Sequence, residues 1–165
     1  MPVQNPNIKI RIFKPGDLSY ISYLHMRLYS NVYGFKSIFE YYVMKSMSEF
    51  ILNHDGSQLW AAEIDGKIIA SVAIVKTDND NAQLRWFIVS EQYQGLGIGK
   101  ELIKTALEFC RQNSYRKVFL WTTDNLKSAH YLYESNGFKL VESKPNNEWT
   151  DYPLVEEKWE LSLDI

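Results

Sequence analysis

The chain has a single cysteine and three histidines in 165 residues. One cysteine excludes an internal disulfide, and scattered histidines without a C-x-x-C spacing predict no metal site. Cys110 recurs with Leu102, Ile103, Ala106 and Leu107 at helical spacing, which predicts a buried helix face. We therefore expect Cys110 to fill the core rather than to act as a nucleophile.

Long apolar runs and basic tracts are also missing. No run approaches the roughly 20 apolar residues of a membrane-spanning helix, and the first residues lack the basic, then apolar pattern of a signal peptide. The 18 basic residues are spread among 20 acidic ones, without the stripe typical of nucleic-acid-binding proteins. We predict a cytoplasmic protein with neither membrane nor nucleic acid as a partner.

What the chain does have is enough apolar material for one core. Apolar residues make up 45% of the sequence and aromatic residues 15%, and no repeat or low-complexity segment interrupts it. A chain of 165 residues suits one domain and is too short for two ordinary ones. We predict a single domain over residues 8–165, preceded by an N-terminal extension over residues 1–7.

The most informative segment is a loop that holds three of the eight glycines. It reads Gln94-Gly95-Leu96-Gly97-Ile98-Gly99-Lys100 and lies between a strand-like run over residues 84–89 and a helical run. Glycines let a backbone approach a ligand closely, and the first turn of a helix offers unpaired N–H groups and a positive dipole end. The segment predicts an anion site, with a simple tight turn as the alternative.

Two common phosphate-binding motifs do not fit this spacing. A G-x-G-x-x-G fingerprint starting at Gly95 needs glycine where Lys100 stands. A G-x-x-x-x-G-K-[ST] loop ending at Gly99 and Lys100 needs glycine at Gln94 and a hydroxyl residue at Glu101. The remaining pattern, Q-x-x-G-x-G before an amphipathic helix, resembles motif A of the GNAT superfamily of N-acetyltransferases. In that family the equivalent loop binds the pyrophosphate of acetyl-coenzyme A (acetyl-CoA).

A second segment resembles motif B of the same family. An apolar strand over residues 118–122 is followed by Asn125 and by Ala129-His130-Tyr131-Leu132-Tyr133-Glu134-Ser135-Asn136-Gly137-Phe138, with the Ala, Leu-Tyr and Gly-Phe of that motif. Two segments in the right order and separation are more specific than either alone. The C-terminal half also resembles the acetyltransferase module fused to MarR-type regulators, although this sequence has no helix-turn-helix partner domain.

Local signals predict the first elements. Alternating isoleucines over residues 8–12 predict a half-buried strand, and Pro15-Gly16-Asp17 opens a first helix. Residues 31–36 read as a loop. Ser37 and Glu40 have the capping-box spacing at the start of a second helix, which runs to about residue 52.

The rest of the chain predicts a sheet and two further helices. Strands over residues 59–64 and 67–75 join at Asp65-Gly66, and a turn over residues 78–81 leads into a strand ending at residue 89, which makes an antiparallel meander. There follow a helix over residues 97–111, a strand over 118–122, a helix over 126–135 capped by Gly137, and strands over 138–141 and 159–163. The order β-α-α-β-β-β-α-β-α-β-β matches the GNAT fold. That fold is of the α/β (α+β) class, with a central mixed, mostly antiparallel sheet of about seven strands flanked by about four helices.

The resemblance implies roles for particular residues. The backbone of Phe87, Ile88 and Val89 would pair with the pantetheine arm of acetyl-CoA. The loop residues Gln94, Gly95, Leu96, Gly97, Ile98, Gly99 and Lys100 would hold the pyrophosphate through main-chain N–H groups. Asn125 would contact the coenzyme or a bridging water, and Tyr133 would protonate the departing thiolate. A packing role for Tyr133 and a helix-terminal role for Asn125 remain the alternatives.

The general base is not evident from the sequence. Many members of the family carry a glutamate on the strand before motif A, but residues 82–89 contain no carboxylate. Glu63, through a water, and His25 are candidates, although solvated strand residues and helix-face histidines are usually structural. The acceptor site is expected on the two early helices, where aromatic rings beside a carboxylate suit an amine. Its residues would be Tyr29, Tyr33, Phe35, Glu40 and Tyr41.

Together these features predict a GNAT-type N-acetyltransferase. It would move an acetyl group from acetyl-CoA to a primary amine of a small molecule or peptide, by direct attack in a ternary complex and without a metal. A non-catalytic acyl-CoA-binding sensor or partner module is the alternative, and a longer acyl donor is a third interpretation. We expect a monomer or a homodimer.

Overall fold

The structure is a computed structural model that describes residues 7–163. The predicted extension over residues 1–7, apart from Asn7, and residues 164–165 lie outside the described residues. Within them the elements follow in this order: β1 (Ile8–Ile12), α1 (Asp17–Tyr33), α2 (Ser37–Leu52), β2 (Gln58–Ile64), β3 (Lys67–Lys76), β4 (Asn81–Val89), a 3₁₀ turn (Glu91–Tyr93), α3 (Ile98–Gln112), β5 (Lys117–Thr123), α4 (Lys127–Ser135), β6 (Lys139–Asn146) and β7 (Leu154–Ser162).

All seven of these strands form one sheet, in the order β1-β2-β3-β4-β5-β7-β6. Only the β4–β5 pair is parallel; the other neighbours are antiparallel. One face packs on α1 and α2 through a cluster that includes Ile21, Met47 and Phe50. The other face packs on α3 and α4 through a cluster that includes Leu102 and Tyr133. The predicted fold class, a mixed and mostly antiparallel sheet with four helices, is confirmed.

Turn chemistry fixes the predicted hairpin and the end of α4. Asp65 and Gly66 both have positive φ, 49° and 80°, in the two-residue connection between β2 and β3. Gly137 has a φ of 91° just after α4, in the left-handed region that a residue with a Cβ resists. Both predictions from glycine positions are confirmed.

The predicted bounds of α2 are confirmed, but the predicted end of α1 and the predicted capping box are wrong. Residues 31–33 continue α1, and the helix stops only at Gly34, which has a φ of 70°. Ser37 begins α2, but no side chain caps the helix, so the predicted capping box is not formed. Instead the N–H of Lys36 donates to the Trp149 carbonyl at 2.7 Å, so a contact from the β6–β7 loop fixes the chain where α2 begins.

The closing strands are longer than predicted. β6 runs to Asn146 and β7 starts at Leu154, so the two strands add residues that the alternation rule had left in a loop. β6 is an edge strand whose side chains are exposed except at Asn146, which removes the apolar alternation that marks a half-buried strand. The extension pairs residues 156–158 with β5 and residues 154–155 with β6.

A β-bulge in β4 decides which side chains face the two early helices. Ala73 pairs with Arg85 and Ser71 with Ile88, so Trp86 and Phe87 lie opposite the single residue Val72. Trp86 takes a φ of 46°, and the Ser71 hydroxyl donates to its carbonyl at 2.7 Å. Leu84 packs under α3, whereas Trp86, two residues later, packs under α1 and α2. The bulge therefore reverses the alternation of β4.

Strands β4 and β5 diverge beyond their short parallel pairing. The pairing ends at Gln83 and Phe119, although β4 continues to Val89 and β5 to Thr123. The split leaves the β5-facing edge of β4 without a strand partner over its last residues. A cleft at this place is where a ligand can add to the sheet.

No helix in the described part of the chain is long and apolar enough to cross a membrane.

Candidate active site

A cleft of about 280 Å³ lies at the C-terminal end of β4. Its lining combines the free end of β4, the glycine-rich loop and the first turns of α3 and α4. The lining residues are Leu28, Tyr29, Tyr33, Phe87, Ile88, Val89, Tyr93, Gln94, Gly95, Gly97, Ile98, Gly99, Lys100, Leu126, Ser128, Ala129 and Leu132. Nine of the residues predicted to bind the coenzyme are in this set, whereas Leu96 and Asn125 are not.

The glycine-rich loop presents a row of unpaired donors to this cleft. Gly95 and Gly97 have φ values of 80° and 83°, and Gly97 precedes the first residue of α3. From Gly95 to Lys100 no main-chain N–H donates to another described residue. Since the first turn of a helix also carries the positive end of the helix dipole, and Lys100 adds a full charge, the loop suits an anion.

The three glycines of the loop serve different purposes. A Cβ on Gly95 or Gly97 would meet no protein atom within 4 Å, so the space beside them is open to the cleft. A Cβ on Gly99 would lie 3.1 Å from the Phe87 ring and 3.2 Å from Leu132. Gly99 therefore allows α3 to pack closely against β4 and α4, rather than allowing a ligand to approach.

Two other loop residues are placed differently from their neighbours. The Gln94 amide donates to the Val89 carbonyl at 3.0 Å and so ties the loop back to the end of β4. Leu96 is 47% exposed and lies outside the lining of the cleft. Main-chain contact with a ligand remains the prediction for both residues.

A second cavity of about 220 Å³ continues from the first, on the side of α1 and α2. The two share Tyr29, Phe87, Leu126 and Ala129 as walls. Its other walls come from α1, α2, the split between β4 and β5, and the β6–β7 loop. They are His25, Phe35, Phe39, Tyr42, Val43, Gln83, Leu84, Arg85, Trp86, Leu120, Trp121, Thr122, Thr123, Tyr133, Trp149 and Glu156. A molecule in this second cavity would lie against one in the first cleft, the predicted coenzyme cleft.

Tyr133 lines the second cavity next to Phe87, a wall that both cavities share. Its ring is buried and contacts Phe87, Phe138 and Trp159 at centroid distances of 6.2, 5.9 and 6.4 Å. Its hydroxyl has no hydrogen-bond partner among residues 7–163. Burial, and to a lesser extent the nearby Tyr29 phenol, raises the pKa of Tyr133 well above its usual value. The phenol therefore stays protonated at neutral pH, and the same shift makes it a weaker acid than a free tyrosine.

Asn125 uses its side chain within a chain of hydrogen bonds beside the cleft. Thr123 donates to its Oδ1 at 2.6 Å, and its Nδ2 donates to the Tyr152 hydroxyl at 2.9 Å. Tyr152 in turn donates to the Tyr33 carbonyl at 2.6 Å. These bonds fasten the β6–β7 loop to the end of α1, where Tyr33 lines the coenzyme cleft. Coenzyme binding by Asn125 remains a prediction.

The cavity contains a carboxylate that the sequence analysis missed. Glu156 comes from β7 and is opposite Thr123 of β5 in the sheet. Asn146 donates to Glu156 Oε2 at 3.3 Å, and the Lys144 ammonium lies 4.0 Å from the same oxygen. Alternation of apolar residues had placed the start of β7 beyond Glu156, so no sequence signal assigned this residue to the site.

The two residues that the sequence suggested as general base, Glu63 and His25, differ in position relative to the cavities. Glu63 accepts a 2.8 Å hydrogen bond from Arg11, which holds the pKa of Glu63 below its usual value, and it lines neither cavity. His25 does line the second cavity, and its Nδ1 is 2.7 Å from the Ile21 carbonyl. Burial lowers the pKa of His25 to about 4, which makes it a weak base.

The predicted acceptor residues are partly brought together. Tyr29 and Phe35 line the second cavity with stacked rings 5.3 Å apart, and Tyr33 lines the coenzyme cleft. Glu40 and Tyr41 are exposed and line neither. The aromatic wall is completed by Phe39, Tyr42 and Trp149, whose indole is 5.1 Å from the Phe39 ring. Within residues 7–163 no group of three potential metal ligands is present.

Cys110 lies away from this chemistry. It is fully buried on the inner face of α3, and burial raises the pKa of its thiol to about 12. A thiol that stays protonated at neutral pH is a poor nucleophile. The predicted core position of Cys110 is confirmed.

Comparison with known proteins agrees with this geometry. The sequence model of the Acetyltransferase (GNAT) family matches residues 20–138. N-acetylaspartate synthetase of Xenopus tropicalis is 38% identical over 99 residues, which are 59% of this chain and 36% of that protein. The chain spans about a third to a half of the length of the curated relatives it matches first.

Solved structures share the fold. A GNAT-family acetyltransferase from Staphylococcus aureus Mu50 has a TM-score of 0.79 at 18% identity, covering 95% of this chain and 99% of that one. A GNAT-family acetyltransferase from Elizabethkingia anophelis, solved with acetyl-CoA bound, has a TM-score of 0.65 at 18% identity, covering 96% of this chain and all of that one. At such identities the likeness concerns the fold.

Proposed function

Because the chain belongs to the Acetyltransferase (GNAT) family, we propose that it transfers an acetyl group from acetyl-CoA to a primary amine of a small molecule or peptide. The observation that carries the proposal is the row of unpaired N–H groups from Gly95 to Lys100 beside the free edge of β4. The first feature suits a pyrophosphate, and the second suits the amide groups of a pantetheine arm. A structure of a family member with acetyl-CoA bound supports the choice of donor.

The two cavities suit direct attack in a ternary complex. The thioester would lie near the junction at Phe87 and Tyr133, with the amine in the second cavity. The amine nitrogen forms a bond to the thioester carbon, and the carbon–sulfur bond breaks. A route through an acetylated cysteine is disfavoured, because Cys110 is buried under α3 and lines neither cavity.

Two side chains would move the protons of this reaction. Glu156 would take a proton from the acceptor ammonium before attack, because its Oε1 is left free by Asn146 and Lys144. Tyr133 would give its proton to the departing thiolate. As the amide forms, the nitrogen loses its second proton to solvent. After the products leave, Glu156 would release its proton to solvent and the Tyr133 phenolate would recover one, so that one proton is released per turnover.

A non-catalytic acyl-CoA sensor was the main alternative, and its support was the missing carboxylate in residues 82–89. Glu156 supplies a carboxylate to the same cavity from β7, which removes that support. The likeness to the module fused to MarR-type regulators, a cytoplasmic location and the choice between monomer and homodimer remain predictions. The exposed edge strand β6 is the surface through which two copies would pair.

Release of free coenzyme A thiol from acetyl-CoA, measured with a broad panel of amines, tests the proposal. We expect turnover with at least one amine and a loss of about 10²- to 10⁴-fold in kcat for Glu156→Gln at neutral pH. Glu160→Gln is the matched control, because Glu160 is on the same strand but pairs with Lys117 outside the cavity. Binding of acetyl-CoA without turnover of any amine would favour the sensor instead.

A further inference from the structure

Arg85 carries a positive charge that no carboxylate among the described residues pairs with. Its guanidinium lies 5.0 Å from the centroid of the Trp86 ring and makes no hydrogen bond or ion pair within residues 7–163. Desolvation lowers the pKa of Arg85, opposed by the charge of Glu49, which lies beyond ion-pair distance. A half-buried charge that is left unpaired is destabilising.

Arg11 shows how the same chain treats a half-buried arginine with a structural role. Its Nε lies 2.8 Å from Glu63 and its Nη1 2.7 Å from Asp17, so two carboxylates of the fold neutralise it. These bonds raise the pKa of Arg11 above its usual value, the reverse of the shift at Arg85. Arg85 therefore lacks what a structural arginine has in this protein.

Arg85 follows the face that the β4 bulge sets, and it lines the second cavity. Trp86 packs against Phe50 of α2, and the Arg85 guanidinium lies over the Trp86 ring, so both side chains are on the face of the sheet toward α2. Arg85 and Glu156 line the same cavity, from β4 and β7. A basic and an acidic residue thus line one small volume, and aromatic rings form much of the remaining wall.

We propose that the acceptor carries a carboxylate as well as the amine, and that Arg85 binds this carboxylate while Glu156 faces the ammonium. The inference rests on the proposed function, and it narrows the acceptor class to amino acids and similar amino-carboxylic acids. A guanidinium matches a carboxylate with two parallel hydrogen bonds, which makes Arg85 a determinant of specificity. The volume of about 220 Å³ suits a single small molecule, since sites for drug-sized ligands are roughly 300–1,000 Å³.

Pairs of acceptors that differ only in the carboxylate test the inference. Amino acids that have a primary amine and no side-chain carboxylate are compared with their decarboxylated amines, for example phenylalanine with phenethylamine and leucine with isoamylamine. For the wild type we expect kcat/KM to favour the amino acid at least tenfold. Arg85→Gln should reduce that preference at least tenfold, mainly through a higher KM for the amino acid. Arg85→Lys should reduce it less, because lysine keeps the positive charge but cannot donate two parallel hydrogen bonds.

Glu49→Gln is the matched control. The charge of Glu49 acts on the pKa of Arg85, but Glu49 lines neither cavity. It should leave the preference unchanged. An equal preference for acid and amine in the wild type would overturn the inference. The inference would also be wrong if Arg85→Gln and Arg85→Lys kept the preference, or if Glu49→Gln abolished it. Unfolding midpoints of each variant separate misfolding from lost recognition.

A binding measurement separates this inference from the proposed function. Amino acids and their amines are titrated calorimetrically into the complex with coenzyme A. If no amine is acetylated but amino acids bind in an Arg85-dependent way, the catalytic proposal fails and the carboxylate site stands. If neither amino acids nor amines bind, the carboxylate site is wrong.

Discussion

Tyr133 lines the second cavity beside Phe87, which both cavities share, and its hydroxyl pairs with no described residue. The hydroxyl oxygen is not fully enclosed, so it is accessible to a molecule in the cavity. Its ring contacts with Phe138 and Trp159 fix the side chain, and its raised pKa keeps the proton in place. These properties fit an acid that acts once per turnover on a nearby thiolate.

We predict that Tyr133→Phe lowers kcat by up to about 10²- to 10⁴-fold and leaves stability within about 0.5 kcal/mol, because no hydrogen bond to the protein is lost. Steady-state assays between pH 6 and 10 and urea unfolding measure the two effects. Tyr131→Phe is the control, since Tyr131 is on the same helix but 73% exposed. Full turnover of Tyr133→Phe across this pH range would exclude the acid role.

Individual site residues were predictable only where a local motif marks them. Gly97 and Tyr133 belong to segments with recognisable spacing, so the sequence indicated them. Glu156 and Arg85 carry no such pattern, because their roles depend on which strands are neighbours in the sheet and on the bulge in β4. The unpaired state of Arg85 is a property of three-dimensional neighbours and has no sequence signal.

At the scale of elements, the loop before α3 and the bulge in β4 build the cleft together. The bulge turns Trp86 toward α2 and lets β4 leave β5 after Gln83. The loop then carries the chain around the end of β4 with two glycines at positive φ. The hairpin at Asp65-Gly66 and α3 were predictable from turn chemistry and periodicity. The bulge was not, because a non-glycine residue with positive φ is held by tertiary contacts such as the Ser71–Trp86 hydrogen bond.

The two glycines Gly97 and Gly99 should respond differently to alanine. At Gly97 the φ of 83° costs about 1–2 kcal/mol for a residue with a Cβ, but the Cβ itself extends into the open cleft. We therefore expect Gly97→Ala to weaken acetyl-CoA binding by more than it weakens folding. At Gly99 the Cβ would press on Phe87 and Leu132, so the main loss should be about 1–3 kcal/mol of stability.

Calorimetric titration with acetyl-CoA and urea unfolding of both variants give the comparison. The paired design matters because both substitutions lie within three residues of one loop. If Gly97→Ala lost binding and stability in equal measure, the loop would be a structural turn and not an anion site.

At the scale of the molecule, the cleft lies between two parts of one sheet. Strands β1 to β4 are covered by α1 and α2 on one face, while β5, β7 and β6 extend the sheet beyond the split. The order of elements was predictable from the sequence, but their arrangement around the split needed the resemblance to a known family. Local patterns state where a strand begins and ends, and they do not state where two parallel neighbours separate.

The buried His25 links the stability of the whole molecule to pH. Its pKa is about 4 in the folded protein and near 6.5 when unfolded, so the unfolded state takes up the proton first as the pH falls. Stability that is present above pH 6.5 is therefore lost progressively toward pH 4. The contribution of His25 to this loss is about 2 kcal/mol between pH 7.5 and pH 5.

Urea unfolding at several pH values measures this dependence. His25→Gln should flatten the curve between pH 7.5 and pH 5, whereas His54→Gln, at an exposed position, should not. The same slope in wild type and His25→Gln would show that other groups control acid stability.

Calorimetric titration of the purified protein with acetyl-CoA, compared with acetyl-pantetheine, tests the central claim most directly. The two ligands share the thioester and the pantetheine arm, but only acetyl-CoA carries the pyrophosphate and nucleotide that the loop from Gly95 to Lys100 is expected to hold. The account predicts clear binding of acetyl-CoA and much weaker binding of acetyl-pantetheine. No detectable binding of acetyl-CoA would contradict both the acetyltransferase and the acyl-CoA sensor interpretations.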